Sequence, residues 1–441
     1  MSVTGSLGAL TALLAMPVYA ARRKTEQWKP ATELARLQAE RLRALLRKAR
    51  RAPYYCRVLP NASVWAGRDR LLAGVPLLDK RIIADEGIEA FFTAGSEGLL
   101  SVFTSGSTGH PAEFRRSPLE ETEFSARMYR VYIAYGGNSR DPILNVGSPV
   151  ARRRTGAAKA LRDLGLLPEI RNLFSGAPVE DSVRILREFK PRLITGYAVG
   201  IEKIAEYMIR HSIEVQAPKA VVCGAMEVTD HCRDLIEKGF RCPAMNAYVT
   251  NEFGVIAWEC PEQRGSLHVN DDTLIMEILD EDGQPVPDGT IGEVVLTSLT
   301  LTRMPLIRYR TGDTAARIGE PCVCGRGLTL MTRVQGRTAH TLVGPGGEVF
   351  STPTVAAAFT AARAFRWVRR FQVREQENYE LLILVEPVRD PEPSQTATLI
   401  AEMSKVFGPA YTFGIELREE LPLAPSGKYQ YLVPLARSAA S

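Results

Sequence analysis

The sequence lacks the features that mark several classes of protein. Its apolar N-terminal run, Leu7 to Tyr19, is shorter than the roughly 20 residues that a transmembrane helix needs. Its seven cysteines are odd in number and scattered, which argues against a disulfide framework and favours a reducing compartment, so we expect a cytoplasmic protein. It has no internal repeat, no low-complexity tract and no basic stretch interleaved with aromatics, and we therefore expect no nucleic-acid partner.

The apolar N-terminal run is followed by the basic residues Arg22, Arg23 and Lys24. Because the positive charge follows the apolar run instead of preceding it, the pattern does not favour a cleaved signal peptide. Two alternatives remain for residues 1–29. The segment packs on the rest of the protein, or it makes a peripheral contact with a membrane surface, with its basic residues at the headgroups.

The 441 residues, 45% of them hydrophobic, exceed what one hydrophobic core normally organises, so we expect more than one domain. Up to Val269, helix-like and strand-like segments alternate, which predicts a three-layer α/β core with a largely parallel sheet. After Val269, strands and turns dominate and indicate an attached β subdomain. A small α+β pattern follows Gln335, so the predicted domains are 30–335 and 336–441. The net charge of +5 suits a protein that binds anions.

A loop dense in hydroxyls and glycines lies between Phe103 and Glu113, with the sequence FTSGSTGHPAE. Its glycines allow backbone amides to turn toward an anion, and its hydroxyls add hydrogen-bond donors. No Gly-Lys-Ser/Thr closes it, and the flanking residues are typical of a strand, a loop and a second strand, so it is not a Walker loop. A polar hairpin turn is the alternative. The candidate phosphate-binding residues are Thr104, Ser105, Gly106, Ser107, Thr108 and Gly109.

Four further motifs follow this loop in order: YVTNEFG from Tyr248, YRTGD from Tyr309, the pair Gly336-Arg337, and PSGK ending at Lys428. Together, the five motifs resemble those of the adenylate-forming superfamily of acyl- and aryl-CoA synthetases, and within it the phenylacetate-CoA ligase branch. The resemblance covers about residues 30 to 435. It implies an α/β fold with a large N-terminal AMP-binding domain and a small, mobile α+β lid domain at the C-terminus.

The resemblance also implies an ATP-dependent acid-thiol ligase that forms AMP. In such an enzyme an organic acid, here expected to be an aryl acid, attacks the α-phosphate of ATP to give an acyl-adenylate and pyrophosphate. The acyl group then passes to coenzyme A. The catalytic residues carried over are Lys428 at the α-phosphate, Glu252 beside Mg²⁺, for which a carboxylate oxygen is a suitable ligand, and Thr108 in the phosphate loop.

Further residues are assigned by the resemblance to the nucleotide and the acid. Asp313 would accept hydrogen bonds from both ribose hydroxyls, and Arg337 would reach the ribose or a phosphate. The other residues assigned to the nucleotide are Gly224, Ala225, Glu227, Tyr248, Asn251 and Glu252. The residues assigned to the acid are Tyr197, Met226 and Ala247.

Three positions depart from the family pattern. Ala112 stands where the family often has lysine, Val249 stands where the tyrosine motif usually continues with glycine, and Ala339 stands where a hinge aspartate is expected. The altered hinge leaves the acceptor open between coenzyme A, a carrier-protein thiol and an amine. A further alternative is a nucleotide-binding protein of a surface-polysaccharide system that has lost catalysis. The presence of Lys428 speaks against it, because a binding module would not need a lysine at the α-phosphate.

A separate set of cysteine and histidine residues indicates a metal site. Cys260 and His268 have the spacing Cys-x₇-His, and Cys322 and Cys324 form a Cys-x-Cys pair in PCVCGRG. Four such ligands are the number that a closed, tetrahedral Zn²⁺ site needs, so we expect a structural zinc ion. The alternative is a set of unrelated thiols.

Overall fold

The computed structural model describes residues 3–59, 68–103, 112–138, 140–147, 168–224, 228, 230–334, 336–337, 342–345, 348–350, 352–422 and 430–435. The chain divides into two compact units. The first comprises Met1–Thr311 and Ala315–Arg333, and the second comprises Gly312–Thr314 and Val334–Ser441.

The helices of the first unit form where apolar residues repeat at helical spacing. In the second helix, for example, Leu34, Leu42 and Leu45 share a face and are buried, while arginines cover the other face. The described helices are α1 (Val3–Glu26), α2 (Ala31–Ala49), α3 (Pro53–Val58), α4 (Arg68–Ala73), α5 (Lys80–Glu86), α6 (Pro118–Ala134), α7 (Val179–Phe189), α8 (Ala198–Arg210) and α9 (Asp230–Phe240), with a 3₁₀ turn at Ile88–Phe91.

The strands between Leu100 and Met331 form a small hairpin and contribute to two larger sheets, and one of these strands, Tyr309–Ala315, includes Gly312–Thr314 of the second unit. They are β1 (Leu100–Phe103), β2 (Glu113–Arg116), β3 (Ile143–Gly147), β4 (Ile170–Phe174), β5 (Leu193–Tyr197), β6 (Ala220–Gly224), β7 (Ala244–Thr250), β8 (Gly254–Glu259), β9 (Leu267–Val269), β10 (Leu274–Leu279), β11 (Gly292–Ser298), β12 (Tyr309–Ala315), β13 (Arg317–Ile318) and β14 (Leu330–Met331).

The largest sheet has nine strands in the order β13-β14-β9-β8-β7-β6-β5-β3-β4. In this sheet, β3, β4, β5, β6 and β7 run parallel to one another. Strand β8 pairs antiparallel with β7, and β9, β14 and β13 continue the antiparallel pairing. Alternate residues of β6 enter different cores: Val221 packs in the cluster that contains α7, α8 and α9, and Val222 packs in the cluster that contains α2 and α6. Helices therefore cover both faces, as in the predicted three-layer α/β core. Strands β10 and β11 pair antiparallel in the predicted β region.

The second unit is a small α+β structure, as predicted. Its sheet has the order β20-β19-β18-β21, and its core contains Trp367, Phe371 and Met403. Its elements are β15 (Gly336–Arg337), β16 (Leu342–Val343), β17 (Val349–Phe350), α10 (Thr352–Ala361), a 3₁₀ turn at Ala364–Arg366, β18 (Val368–Glu375), a 3₁₀ turn at Glu377–Tyr379, β19 (Glu380–Pro387), α11 (Pro393–Phe407), β20 (Thr412–Leu417) and β21 (Leu432–Val433).

The N-terminal helix α1 belongs to the first unit and packs on α6. Its Arg23, one of the basic residues that follow the apolar run, is buried in ion pairs with Glu26, Glu123 and Asp272. Burial alone would raise the pKa of the Asp272 carboxyl, but the guanidinium groups around it, led by that of Arg130, hold it below its usual range. Among the described residues, no helix combines the length and the apolar character needed to cross a bilayer.

Candidate active site

The predicted phosphate loop is framed by the β1–β2 hairpin. Phe103 pairs with Glu113 across the two antiparallel strands, so the strand, loop, strand prediction is confirmed. The Glu113 carboxylate accepts hydrogen bonds from the Ser101 hydroxyl at 2.7 Å and from the Arg115 guanidinium at 2.8 Å, which lowers its pKa. The candidate phosphate ligands Thr104, Ser105, Gly106, Ser107, Thr108 and Gly109 lie outside the described residues.

The YVTNEFG motif lies at the end of β7 and in the turn that leads to β8. The Asn251 side-chain amide donates a hydrogen bond to the Phe103 carbonyl at 3.0 Å, and the Arg116 guanidinium donates one to the Asn251 carbonyl at 3.1 Å. These two bonds attach the turn to both strands of the hairpin. The structure therefore brings two of the predicted motifs together, whereas the bond from Asn251 to a nucleotide stays a prediction.

Glu252 is nearly buried and has two neighbours that the sequence did not reveal. The Lys80 ammonium lies 3.4 Å from Glu252 Oε1, and the Tyr309 hydroxyl donates to the same oxygen at 3.4 Å. Both contacts are long for hydrogen bonds, so the carboxylate is only loosely held. Tyr309 is the first residue of the YRTGD motif, so the sequence marked this residue but not its contact with Glu252. Lys80 belongs to no motif that we identified.

A stack of one aromatic ring and two guanidinium groups lies beneath the turn. The guanidinium carbons of Arg116 and Arg127 each lie 4.2 Å from the centre of the Phe124 ring. Burial lowers the pKa of Arg127 to about 9. Gly254 has a φ of +68°, and a Cβ there would lie 2.7 Å from Phe124 Cδ2. The last glycine of YVTNEFG is therefore required by its backbone conformation and by the ring beneath it.

The carboxyl ends of three parallel strands carry predicted nucleotide and acid residues. Tyr197 at the end of β5 pairs in register with Gly224 of β6, which pairs with Ala247 of β7. Burial raises the pKa of Tyr197, so its phenol stays neutral at physiological pH. Ligands bind at this edge of open α/β sheets. Tyr248 follows Ala247 and is buried, while Ala225, Met226 and Glu227 lie outside the described residues.

The residues that the resemblance assigns to the ribose and the α-phosphate belong to the second unit. Asp313 is buried, and its backbone pairs with that of Arg337, so the structure brings the YRTGD and Gly-Arg motifs into register. For Arg337 only the backbone is described. Lys428 and Ala339 lie outside the described residues, and the roles assigned to them stay predictions.

The four predicted metal ligands converge in the first unit. The donor atoms of Cys260, His268, Cys322 and Cys324 all lie within 4.8 Å of one another. The sulfurs of Cys260 and Cys322 are 3.5 Å apart, and Cys324 Sγ is 3.3 Å from His268 Nε2. A zinc ion with bonds of about 2.3 Å to sulfur has tetrahedral edges of about 3.8 Å, so the donor set fits zinc in number, type and spacing.

The protonation states around this cluster also fit a metal site. Burial and the charge of Arg326 lower the pKa of His268 to about 4, so the imidazole is neutral and has a free electron pair. Burial raises the pKa of the Cys322 thiol to about 12, and a bound cation would reverse that shift. Glu259, next to Cys260, accepts two hydrogen bonds from Arg233 at 2.9 Å each, which fix the strand that carries the first ligand.

Known proteins resemble this chain in sequence. Phenylacetate-coenzyme A ligase of Thermus thermophilus is 28% identical over 341 residues, which cover 74% of this chain and 75% of that protein. The Escherichia coli protein of the same name is 27% identical over 332 residues, covering 72% and 74%. No protein-family model matches the chain.

Among solved structures, 2-hydroxyisobutyryl-CoA ligase in its postadenylation state, in complex with R3-HIB-AMP, aligns with a TM-score of 0.76. The alignment covers 94% of this chain and 92% of that one at 18% identity, which is a likeness of fold. The fold is the one seen in that CoA ligase. In sequence, the chain is similar to the phenylacetate-CoA ligase-like branch of the adenylate-forming superfamily, as its ordered motifs predicted.

The contact between Gly254 and the Phe124 ring predicts an unequal effect of two glycine substitutions. Gly289 also has a positive φ, of +83°, but a Cβ there meets nothing within 4 Å. We expect Gly289→Ala to lower the free energy of unfolding by about 1 kcal/mol through backbone strain, and Gly254→Ala to cost about 1 to 3 kcal/mol more, because the ring must also shift. Urea unfolding of both variants measures the difference, and equal losses would contradict the proposed contact.

Proposed function

We propose that the chain is an ATP-dependent acid-thiol ligase. It activates an organic acid as an acyl-adenylate with release of pyrophosphate and then transfers the acyl group to coenzyme A. The observation that carries the proposal is the attachment of the β1–β2 hairpin to the turn that holds Glu252, in a chain whose relatives are named phenylacetate-coenzyme A ligases. The structural neighbour named above is described with an adenylate, which supports the first half-reaction.

The reaction joins two anionic groups, and the site must balance their charge. A carboxylate oxygen of the acid forms a bond to the α-phosphorus, and the bond from that phosphorus to the β-phosphate bridge breaks, so that pyrophosphate leaves. Glu252 would hold Mg²⁺, which when bound neutralises charge on the phosphates. The Glu252 carboxylate suits Mg²⁺ because it offers a hard oxygen ligand, and its contacts with Lys80 and Tyr309 are long. Lys428 would stabilise the negative charge at the α-phosphate.

The proposal also includes a place for the acid and a preferred acceptor for the acyl group. The acid would lie at the carboxyl ends of β5, β6 and β7, beside Tyr197 and Ala247, and an aryl acid is the first expectation. Coenzyme A is the preferred acceptor because the relatives are named for it, and transfer to a carrier protein or an amine is less favoured. Membrane contact through the exposed Leu14 and Val18 of α1, and a cytoplasmic location, remain predictions.

Acid-dependent pyrophosphate release tests the function, and a lysine variant tests the catalytic assignment. With Mg²⁺ and ATP, we expect one class of acid in an aryl and alkyl panel to stimulate release, and coenzyme A to stimulate it further.

Lys428→Ala should lower the rate by about 10² to 10³, because a preorganised positive charge is lost, while ATP binding persists. Lys405→Ala, an exposed lysine on α11, is the matched control and should be unaffected. Unchanged release in Lys428→Ala would contradict its role, and an inactive wild-type protein that still binds ATP would contradict the ligase proposal.

The Cys/His cluster would hold a structural zinc ion. We expect protein purified without chelator to contain about one equivalent of zinc, and Cys322→Ser to lose most of it and to unfold at a lower temperature, because structural zinc contributes directly to folding. Cys56→Ser is the control, since Cys56 is exposed and lies outside the cluster. Wild-type protein with less than about half an equivalent would contradict the zinc site.

A further inference from the structure

The ion pair between Lys80 and Glu252 has no part in the reaction as described above. The Lys80 side chain is 27% exposed and that of Glu252 is 7% exposed, so the ammonium lies at the solvent side of an almost buried carboxylate. Two nearby arginines have other carboxylate partners. Arg115 pairs with Glu113 at 2.8 Å, and Arg116 pairs with Glu121 at 2.7 Å.

The backbone around Lys80 fixes its position. The Leu78 amide donates to the Arg308 carbonyl at 2.9 Å, and the Arg310 amide donates to the Leu78 carbonyl at 2.8 Å. The Asp79 carboxylate then accepts from the Ile82 amide at 2.8 Å and caps α5, whose first residue is Lys80. The segment is thus bonded to β12, the strand that also supplies Tyr309 to Glu252. The two segments that contribute Lys80 and Tyr309 to the Glu252 carboxylate are therefore hydrogen-bonded to each other.

This arrangement places a cation where a metal ion would bind. A divalent cation on Glu252 would lie close to the Lys80 ammonium, and the two positive charges would repel each other in a site with little solvent. The triphosphate of ATP offers the ammonium another anionic partner. The lysine stem is flexible, and the contact of 3.4 Å is long enough to be exchanged at little cost.

We propose that Lys80 is a positioning residue that occupies Glu252 until ATP arrives and so couples binding of the divalent cation to binding of the nucleotide. The inference rests on the proposed function, because it takes Glu252 as the metal ligand. In the free protein, Lys80 pairs with the carboxylate and weakens its affinity for the cation. When the triphosphate binds, it draws the ammonium away, and Glu252 becomes available.

Binding of Mn²⁺ as a spin probe tests this coupling without measuring catalysis. Free Mn²⁺ is followed by electron paramagnetic resonance in zinc-loaded protein, so that the Cys/His cluster is already filled. We expect Lys80→Met to bind Mn²⁺ about tenfold more tightly than the wild type in the absence of nucleotide, and to gain less affinity when ATP is added. Lys80→Arg, which keeps the charge, should behave as the wild type. Arg81→Met, at the exposed neighbouring position, is the matched control.

Glu252→Gln separates this site from other sites that bind Mn²⁺. The added affinity should disappear in Lys80→Met/Glu252→Gln, because the ligand is gone. If Lys80→Met does not fold, Lys80→Gln replaces it. Equal Mn²⁺ affinity in the wild type and the folded neutral variant, without nucleotide, would overturn the inference. A wild-type protein that releases no pyrophosphate but shows the expected Mn²⁺ pattern would count against the ligase function alone.

Discussion

The candidate site depends on how one carboxylate, that of Glu252, is held at the end of β7. The turn that carries it is attached to the β1–β2 hairpin through Asn251 and Arg116, and the carboxylate itself contacts Lys80 and Tyr309. Segments that are far apart in the sequence thus meet at one oxygen. The turn that carries a metal ligand beside phosphates needs a fixed position, because displacement by about 1 Å can cost a large factor in rate.

The ion pair at Glu252 differs in length and exposure from the ion pairs in the interior. Arg23 and Arg130 surround Asp272 in a buried cluster that attaches α1 to α6. Removing one member of such a cluster leaves an unpaired buried charge, so the cluster stabilises one arrangement of the helices. At Glu252 the contacts are longer and partly exposed. The pair at Glu252 is therefore easier to exchange than the buried pairs of Asp272.

The sequence predicted those features that depend on local patterns. The hairpin around the glycine-rich loop, the alternating core and the Cys/His cluster all carry signals in residue type and spacing. The contact of Lys80 with Glu252 could not be predicted in this way, because it depends on how α5 is bonded to β12. Strand β4 carries no such signal, since an edge strand with exposed Arg171 and Asn172 lacks a buried pattern. The burial of Arg23 depends on partners in α6 and beyond.

The central claim is that the acid is joined to AMP before the acyl group is transferred. Its most direct test uses an acid that stimulates the enzyme, labelled with ¹⁸O in both carboxylate oxygens, together with ATP, Mg²⁺ and coenzyme A. The account predicts that each AMP produced carries one ¹⁸O, because the carboxylate oxygen that attacks the α-phosphorus stays with AMP when the adenylate is cleaved. Thioester formation with unlabelled AMP, or with ADP as the nucleotide product, would contradict the account.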